Sequence, residues 1–190
     1  MRVLPLKVIE ISEENDDLVE KDDAVRHMCD EAHLQSHETW LVERLKTSVR
    51  NGRDLSKKAK EWYPHLLFCK DAEAQLKGLA GGTPQFRRVI ARLFEIENYC
   101  QQWHEGGFEA NAIPNASNES DSTMNQYGHL REFVCPDGVK RSFGFHLKGL
   151  PGHWRIHIWP DVEGIFCDSS DSPRKILIGY IGNHLPISTG

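Results

Sequence analysis

The sequence predicts an α+β fold, with a helical N-terminal half and a C-terminal antiparallel sheet of about four strands. Apolar residues recur at helical spacing before the middle of the chain, most clearly after Thr83. From Leu130 onward they alternate with a period of two, as in half-buried strands. We therefore expect a mainly helical region over residues 1–110, a connecting loop over 111–127 and a β region over 128–190.

The N-terminal end is expected to hold a strand, an acidic segment and a first helix. Leucine and valine alternate over residues 4–8, which indicates a short strand. The acidic run over residues 13–23 is typical of a solvated segment. Apolar side chains then fall near one helical face, and Asn51-Gly52 supplies a stop signal. A helix is therefore expected from Glu38 to Arg50.

Three more helices are expected before the sheet. Asp54 is a suitable N-cap for a helix that continues through Trp62. A short helix is expected from Asp71 to Leu79. Thr83 is a good N-cap for the clearest helix, because Pro84 suits the first helical position and an apolar stripe follows.

The loop and the strands follow from composition and alternation. Residues 110–125 are rich in Asn, Ser and Ala, which is typical of a loop. The last predicted strand is apolar on both faces and should be central or covered. The four predicted strands are Leu130–Cys135, Val139–Leu147, Trp154–Trp159 and Lys175–Ile181.

Charge and cysteine usage narrow the class of protein. A net charge of −5 argues against binding duplex DNA through a broad basic surface. The five cysteines contain no C-x-x-C pair, which favours reduced thiols over a zinc ribbon or a disulfide scaffold. The sequence shows neither an apolar run long enough to span a membrane nor a signal peptide, so a cytoplasmic location without membrane contact is expected.

One face of the second and third strands carries the residues with chemical potential. Alternation places His146 and Lys148 on the same side, and an antiparallel pairing brings Arg155 and His157 beside them. Two imidazoles next to an ammonium and a guanidinium suit an anion such as phosphate. Cleavage of RNA needs a base, an acid and a cation that stabilises the phosphorane, and it needs no metal ion or cofactor.

These requirements assign a role to each side chain on this face. The predicted catalytic residues are His146, His157 and Arg155, with the two histidines as base and acid. Lys148 is expected to bind phosphate beside Arg155. Trp159 or Tyr180 is expected to stack on a base of the bound RNA.

Three alternatives remain open at this point. The polar face is also typical of a sheet that simply faces solvent. His146, His157 and His184 are a weaker candidate metal site in a metal-dependent hydrolase, because no carboxylate or thiolate stands at short spacing. The aromatic residues beside an acidic helical half also fit a non-catalytic interaction subunit of a multi-protein complex.

Residues 83–190 resemble the RelE/ParE-type toxins of bacterial toxin–antitoxin systems. The resemblance rests on the order of helix, loop and antiparallel sheet, and on the segments Gly152–His157 and Lys175–Tyr180. It implies a bacterial RNA-directed toxin-like protein, a metal-independent endoribonuclease acting on RNA or at the ribosome, with Arg155, His157 and His146 in its site. The alternative of a non-catalytic interaction subunit predicts a protein partner, an antitoxin or a component of an antiphage defence complex.

Overall fold

The N-terminal residues form a β-hairpin in the computed structural model, which describes residues 3–11, 18–26, 48–169 and 171–188. Strand β1 (Val3–Ile11) pairs antiparallel with β2 (Leu18–Arg26). The strand expected over residues 4–8 lies inside β1. The last part of the acidic run, which was expected to be a solvated or mobile segment, belongs to β2, where Asp22 is exposed. The helix expected from Glu38 to Arg50 lies, except for its last three residues, outside the described residues.

The helices follow local capping signals. Helix α1 (Gly52–Trp62) begins after Asn51, whose side chain accepts from the backbone N–H of Asp54. The N-cap is therefore Asn51, whereas the sequence predicted Asp54. Asp54 lies in the first turn, where its negative charge interacts favourably with the positive end of the helix dipole. Helix α2 spans Lys70–Lys77, and α3 spans Pro84–Gln102. The predicted Thr83 cap is confirmed, since its Oγ1 accepts from the Phe86 N–H.

The main sheet has five strands, which are Leu66–Phe68 (β3), Ala116–Asn118 (β4), Phe145–Leu147 (β7), Trp154–Pro160 (β8) and Ile176–Asn183 (β9). Their order across the sheet is β3-β9-β8-β7-β4. Strand β3 pairs parallel with β9, and the other neighbours are antiparallel. The α+β class is thus confirmed, although the sheet is mixed.

Two sequence expectations are wrong in this part of the chain. The strand expected over Val139–Leu147 is broken near Gly144, so that its first part joins a separate hairpin. That hairpin consists of β5 (Glu132–Val134) and β6 (Lys140–Ser142). The connecting segment expected over 111–127 is also more structured than a loop, since it contains β4 and helix α4 (Asp121–Tyr127). A short 3-10 helix follows it at Gly128–Arg131.

The two faces of the main sheet are covered differently. Helices α1–α3 pack on one face, where Leu55, Leu93 and Ile158 belong to the same buried cluster. The other face packs against the β5–β6 hairpin through a smaller cluster that contains Phe133 and Phe143. Residues 49–190 form one unit and residues 1–48 another. Among the described residues, no helix combines the length and the apolar composition that a bilayer-spanning segment needs.

Candidate functional site

A row of polar side chains crosses the sheet face that the β5–β6 hairpin covers. The strand register places four residues side by side from β4 to β9, namely Ser117, His146, His157 and Tyr180. The ring centroids of His146 and His157 are 5.5 Å apart, and those of His157 and Tyr180 are 5.9 Å apart. The structure therefore brings the two histidines together on one face, as the alternation predicted.

Three cationic or titratable side chains, which we call the rim, lie beside this row. Lys148 follows Leu147 and Arg155 precedes Ile156, so both lie next to the last pair of the antiparallel β7–β8 ladder. His184 follows the end of β9. Lys148 is exposed, whereas Arg155 and His184 are half-buried. Burial lowers the pKa of His184, and the charge of Arg155 lowers it further.

The two histidines of the row are withdrawn from solvent. His146 is 2% exposed and His157 is fully buried. Neighbouring segments lie against them. Glu119, which follows β4, has its Oε1 3.3 Å from His146 Nδ1, and the carbonyl of Phe143, which follows β6, accepts from His157 Nδ1 over 3.4 Å. The alternative of a solvated polar face is therefore wrong at the centre of the row and holds only at its rim.

Glu119 and Arg131 form a buried ion pair against the row. Arg131 Nε donates to Glu119 Oε1 over 2.9 Å, with side-chain exposures of 0% and 5%. Arg131 also donates from Nη2 to the Pro186 carbonyl over 2.9 Å. The sequence analysis missed both residues, because Glu119 stands in a segment with the composition of a loop and neither residue has a local signal of burial.

Each imidazole has one nitrogen in contact with a hydrogen-bonding group and one without. His157 Nδ1 donates to the Phe143 carbonyl in a long hydrogen bond of 3.4 Å. His146 Nε2 lies 3.2 Å from the Ser117 hydroxyl, which can donate or accept. The remaining nitrogens, His146 Nδ1 and His157 Nε2, are buried and have no hydrogen-bond partner among the described residues. His146 Nδ1 lies 3.3 Å from Glu119 Oε1 without the orientation of a hydrogen bond.

Burial keeps both imidazoles neutral near pH 7. It lowers the pKa of His146 to about 4, with a smaller opposing effect of the Glu119 carboxylate and additional lowering by Lys148 and Arg155. It lowers the pKa of His157 to about 3, where the neighbouring His146 adds to the effect. Neutral imidazole can accept a proton or bind a metal ion.

The two histidines form a possible ligand set with Glu119. One donor atom from each of the three residues lies within 4.8 Å of the other two. The metal alternative from the sequence paired the histidines with His184, whereas among the described residues the group that meets this spacing contains the carboxylate of Glu119.

The two rings expected to stack on a nucleic-acid base have protein neighbours. The Arg141 guanidinium lies over the Trp159 ring at 5.1 Å. Tyr180 stacks on Phe133 at a centroid distance of 6.0 Å, and its hydroxyl donates to the Asn183 carbonyl over 3.1 Å. Base stacking by either ring stays a prediction, and it requires these contacts to separate.

Comparisons with models of protein families, with curated proteins and with solved structures find no match. The similarity to RelE/ParE-type toxins therefore stays a prediction, as does an antitoxin or defence-complex partner.

Proposed function

We propose that the protein is RNA-directed and that the rim of Lys148, Arg155 and His184 binds phosphate groups of RNA. The observation that carries this proposal is the charge of the neighbourhood. Both Lys148 and Arg155 lower the pKa of His146 and of His184 through their positive charge. The Glu119 carboxylate, which raises the pKa of the same two histidines, is already paired with Arg131. Among the described residues no carboxylate forms an ion pair with Lys148 or Arg155, and an exposed ammonium beside such a half-buried guanidinium is suited to a phosphodiester.

Arg155 has a geometry that supports this role. Its Nη1 donates to the Trp154 carbonyl over 2.9 Å, which anchors the guanidinium beside the sheet. An anchored guanidinium loses less conformational entropy on binding a phosphate than a freely moving one.

RNA cleavage at this site is the more demanding part of the proposal. His146 and His157 are the predicted base and acid, and both are buried under the residues that follow β4 and the β5–β6 hairpin. Proton transfer between these rings and an RNA substrate requires this cover to move, because the groups must come within hydrogen-bonding distance. Binding of phosphate to the rim requires no such movement. Phosphate binding is therefore the activity that the geometry supports best.

The test of binding is the fluorescence anisotropy of a labelled single-stranded RNA at two salt concentrations. We expect Arg155→Ala and Lys148→Ala each to weaken binding roughly 5- to 10-fold and to lower the salt slope by about 0.7. Lys57→Ala removes an exposed lysine on α1 and is the matched control. The proposal fails if the folded wild-type protein does not bind RNA, or if Lys57→Ala weakens binding as much as Arg155→Ala.

Cleavage is tested separately on the same RNA, by electrophoresis in buffer with a chelator. A metal-independent endoribonuclease cuts under these conditions, and the variants Arg155→Ala and His157→Ala should abolish both the products and any growth arrest on expression in bacteria. Binding without cleavage would retain the rim as a phosphate site and refute the endoribonuclease.

A further inference from the structure

We propose that Glu119, His146 and His157 form a site for one divalent transition-metal ion of the zinc or ferrous class. The three side chains come from the residue after β4, from β7 and from β8, so the fold rather than a local motif brings them together. The proposal goes beyond phosphate binding at the rim, because these residues are buried. It is also the alternative to metal-independent cleavage by His146 and His157, since a ring nitrogen that binds a metal ion cannot act as a base or an acid.

The spacing of the donor atoms is close to what a metal ion needs. Bonds of about 2.0–2.2 Å from a metal to nitrogen and oxygen place neighbouring donors about 3.0–3.5 Å apart. His146 Nδ1 and Glu119 Oε1, at 3.3 Å, already have this separation. The donors of all three residues lie within 4.8 Å of one another. Side-chain shifts of about 1 Å would therefore bring the third donor to bonding distance.

The free ring nitrogens are the second and independent observation. A buried polar atom without a partner costs about 1–3 kcal/mol, so the two orphaned nitrogens are expensive unless something binds them. They are His146 Nδ1 and His157 Nε2. In His146 the other nitrogen contacts the Ser117 hydroxyl, and in His157 the other nitrogen donates to the Phe143 carbonyl. A metal ion is a ligand that would satisfy both nitrogens at once.

The contacts on the opposite side of each ligand are those typical of metal sites. Metal-binding histidines donate their other ring N–H to a carbonyl, a hydroxyl or a carboxylate, which fixes the tautomer and the ring orientation. The Phe143 carbonyl has this position for His157, and the Ser117 hydroxyl has it for His146. Arg131 also fixes the carboxylate of Glu119, here through a hydrogen bond to the donor oxygen Oε1 itself, which has a second lone pair for the metal ion.

The donor types and the surrounding charge select the class of metal. Two imidazoles and one carboxylate suit zinc and ferrous ions, whereas magnesium and calcium prefer oxygen ligands. The positive charges of Arg131, Arg155 and Lys148 repel a cation, so that electrostatic attraction alone does not hold a metal ion here. Affinity must therefore come from the metal–imidazole bonds. Three protein ligands also leave a coordination position for water or an anion.

Two of the three ligands, His146 and His157, were candidates from the sequence, but Glu119 was not. Glu119 precedes His146 by 27 positions and stands in a segment with the composition of a loop. The short ligand spacings that make metal motifs recognisable in a sequence are absent from it.

The experiment is a titration of metal-free, full-length protein with zinc in competition with a chromophoric chelator, and with cobalt under visible absorption. We expect one ion per chain and ligand-field bands of cobalt without the intense sulfur charge-transfer band that cysteine ligation would produce. His157→Gln and Glu119→Gln should each weaken zinc binding about 100-fold or more, and Ser117→Ala about 10-fold. His153→Gln, which changes an exposed histidine near β8, should leave the affinity unchanged.

Circular dichroism of each variant separates loss of the site from loss of the fold. Ser117→Ala serves as a mild variant that leaves all three ligands in place. The proposal is overturned if the folded wild-type protein binds neither ion tighter than about 10 μM, if a folded His157→Gln binds zinc as well as the wild type, or if His153→Gln loses affinity equally. RNA binding is measured on the same samples. Its absence in a protein that binds zinc would refute only the rim, and its presence in a protein without zinc affinity would refute only the metal site.

Discussion

Arg131 and Glu119 form a buried hydrogen bond of 2.9 Å, in which Arg131 Nε donates to Glu119 Oε1. The pair lies against the polar row, since Glu119 Oε1 is 3.3 Å from His146 Nδ1. The two side chains are 0% and 5% exposed, so each charge depends on the other for compensation. Arg131 also reaches the Pro186 carbonyl, and its own carbonyl accepts from the Phe143 N–H. Arg131 thus connects Glu119 after β4, Phe143 at the end of the β5–β6 hairpin, and Pro186 after β9.

Replacing Arg131 should destabilise the fold far more than replacing a cation of a surface pair. Arg131→Met leaves Glu119 buried without a partner, and we expect a loss of about 3–5 kcal/mol in the free energy of unfolding. Lys140→Met is the matched control, because its pair with Glu132 is exposed, at 58% and 41%, and should contribute less than about 1 kcal/mol. Urea unfolding checks both values. Equal losses in the two variants would contradict a buried, mutually dependent pair.

Gly179 should tolerate no side chain, because β9 passes directly under two aromatic rings. A Cβ atom there would lie 2.5 Å from Phe133 Cδ2 and 2.7 Å from Phe143 Cδ1. Gly179→Ala must displace the β5–β6 hairpin or the strand, and we expect a loss of about 1–3 kcal/mol. Gly107→Ala is the control, since a Cβ atom there has no neighbour within 4 Å. Thermal unfolding of both variants tests the contact, and an unchanged midpoint for Gly179→Ala would argue against it.

The elements that the sequence predicted well have a strong local signal. Helix α3 has a Thr83 cap and a long apolar stripe, and β8 and β9 alternate or are apolar throughout. The predicted strand Trp154–Trp159 differs from β8 by one residue at its end. Local capping and periodicity are sufficient to define such elements.

The elements that were missed depend on distant partners. Strand β3 has three residues, too few to show a period, and exists because it pairs with β9. Strand β4 exists because it pairs with β7. The alternation placed His146 and His157 on one face correctly, yet it carries no information on what covers that face. Glu119 and Arg131 supply that cover from outside the two strands, which is why the site looked open in the sequence.

Thiol chemistry should be confined to Cys167 among the described cysteines. Cys69, Cys100 and Cys135 are at most 3% exposed, whereas Cys167 is half-buried. Burial raises the pKa of Cys69 to about 12, with a further contribution from Cys135, so that its reactive thiolate is scarce. Iodoacetamide at pH 8 should modify Cys167 at least 100-fold faster than Cys69, as measured by peptide mass spectrometry. Urea should abolish the difference, and comparable rates in the native protein would contradict the buried environment of Cys69.

Acid should destabilise the metal-free protein earlier than carboxylate protonation alone would. The pKa values of His146 and His157 are about 4 and about 3 in the folded chain, against an ordinary value of 6.5. Because the folded-state pKa values are lowered, the unfolded chain binds more protons below pH 6.5. Stability is therefore complete above pH 6.5 and is lost as the pH falls towards 4. Each histidine contributes up to about 1.4 kcal/mol per pH unit in this window.

The measurement is urea unfolding in the presence of a chelator at pH 7 and pH 5.5. We expect the free energy of unfolding to fall by roughly 2–3 kcal/mol between these values, because both imidazoles must be uncharged in the fold and are largely charged in the unfolded chain. His153→Gln should show the same fall, since this side chain is exposed. A stability that stays constant from pH 7 to pH 5.5 would mean that protons reach His146 and His157 without unfolding, and hence that the cover over the row opens in the native state.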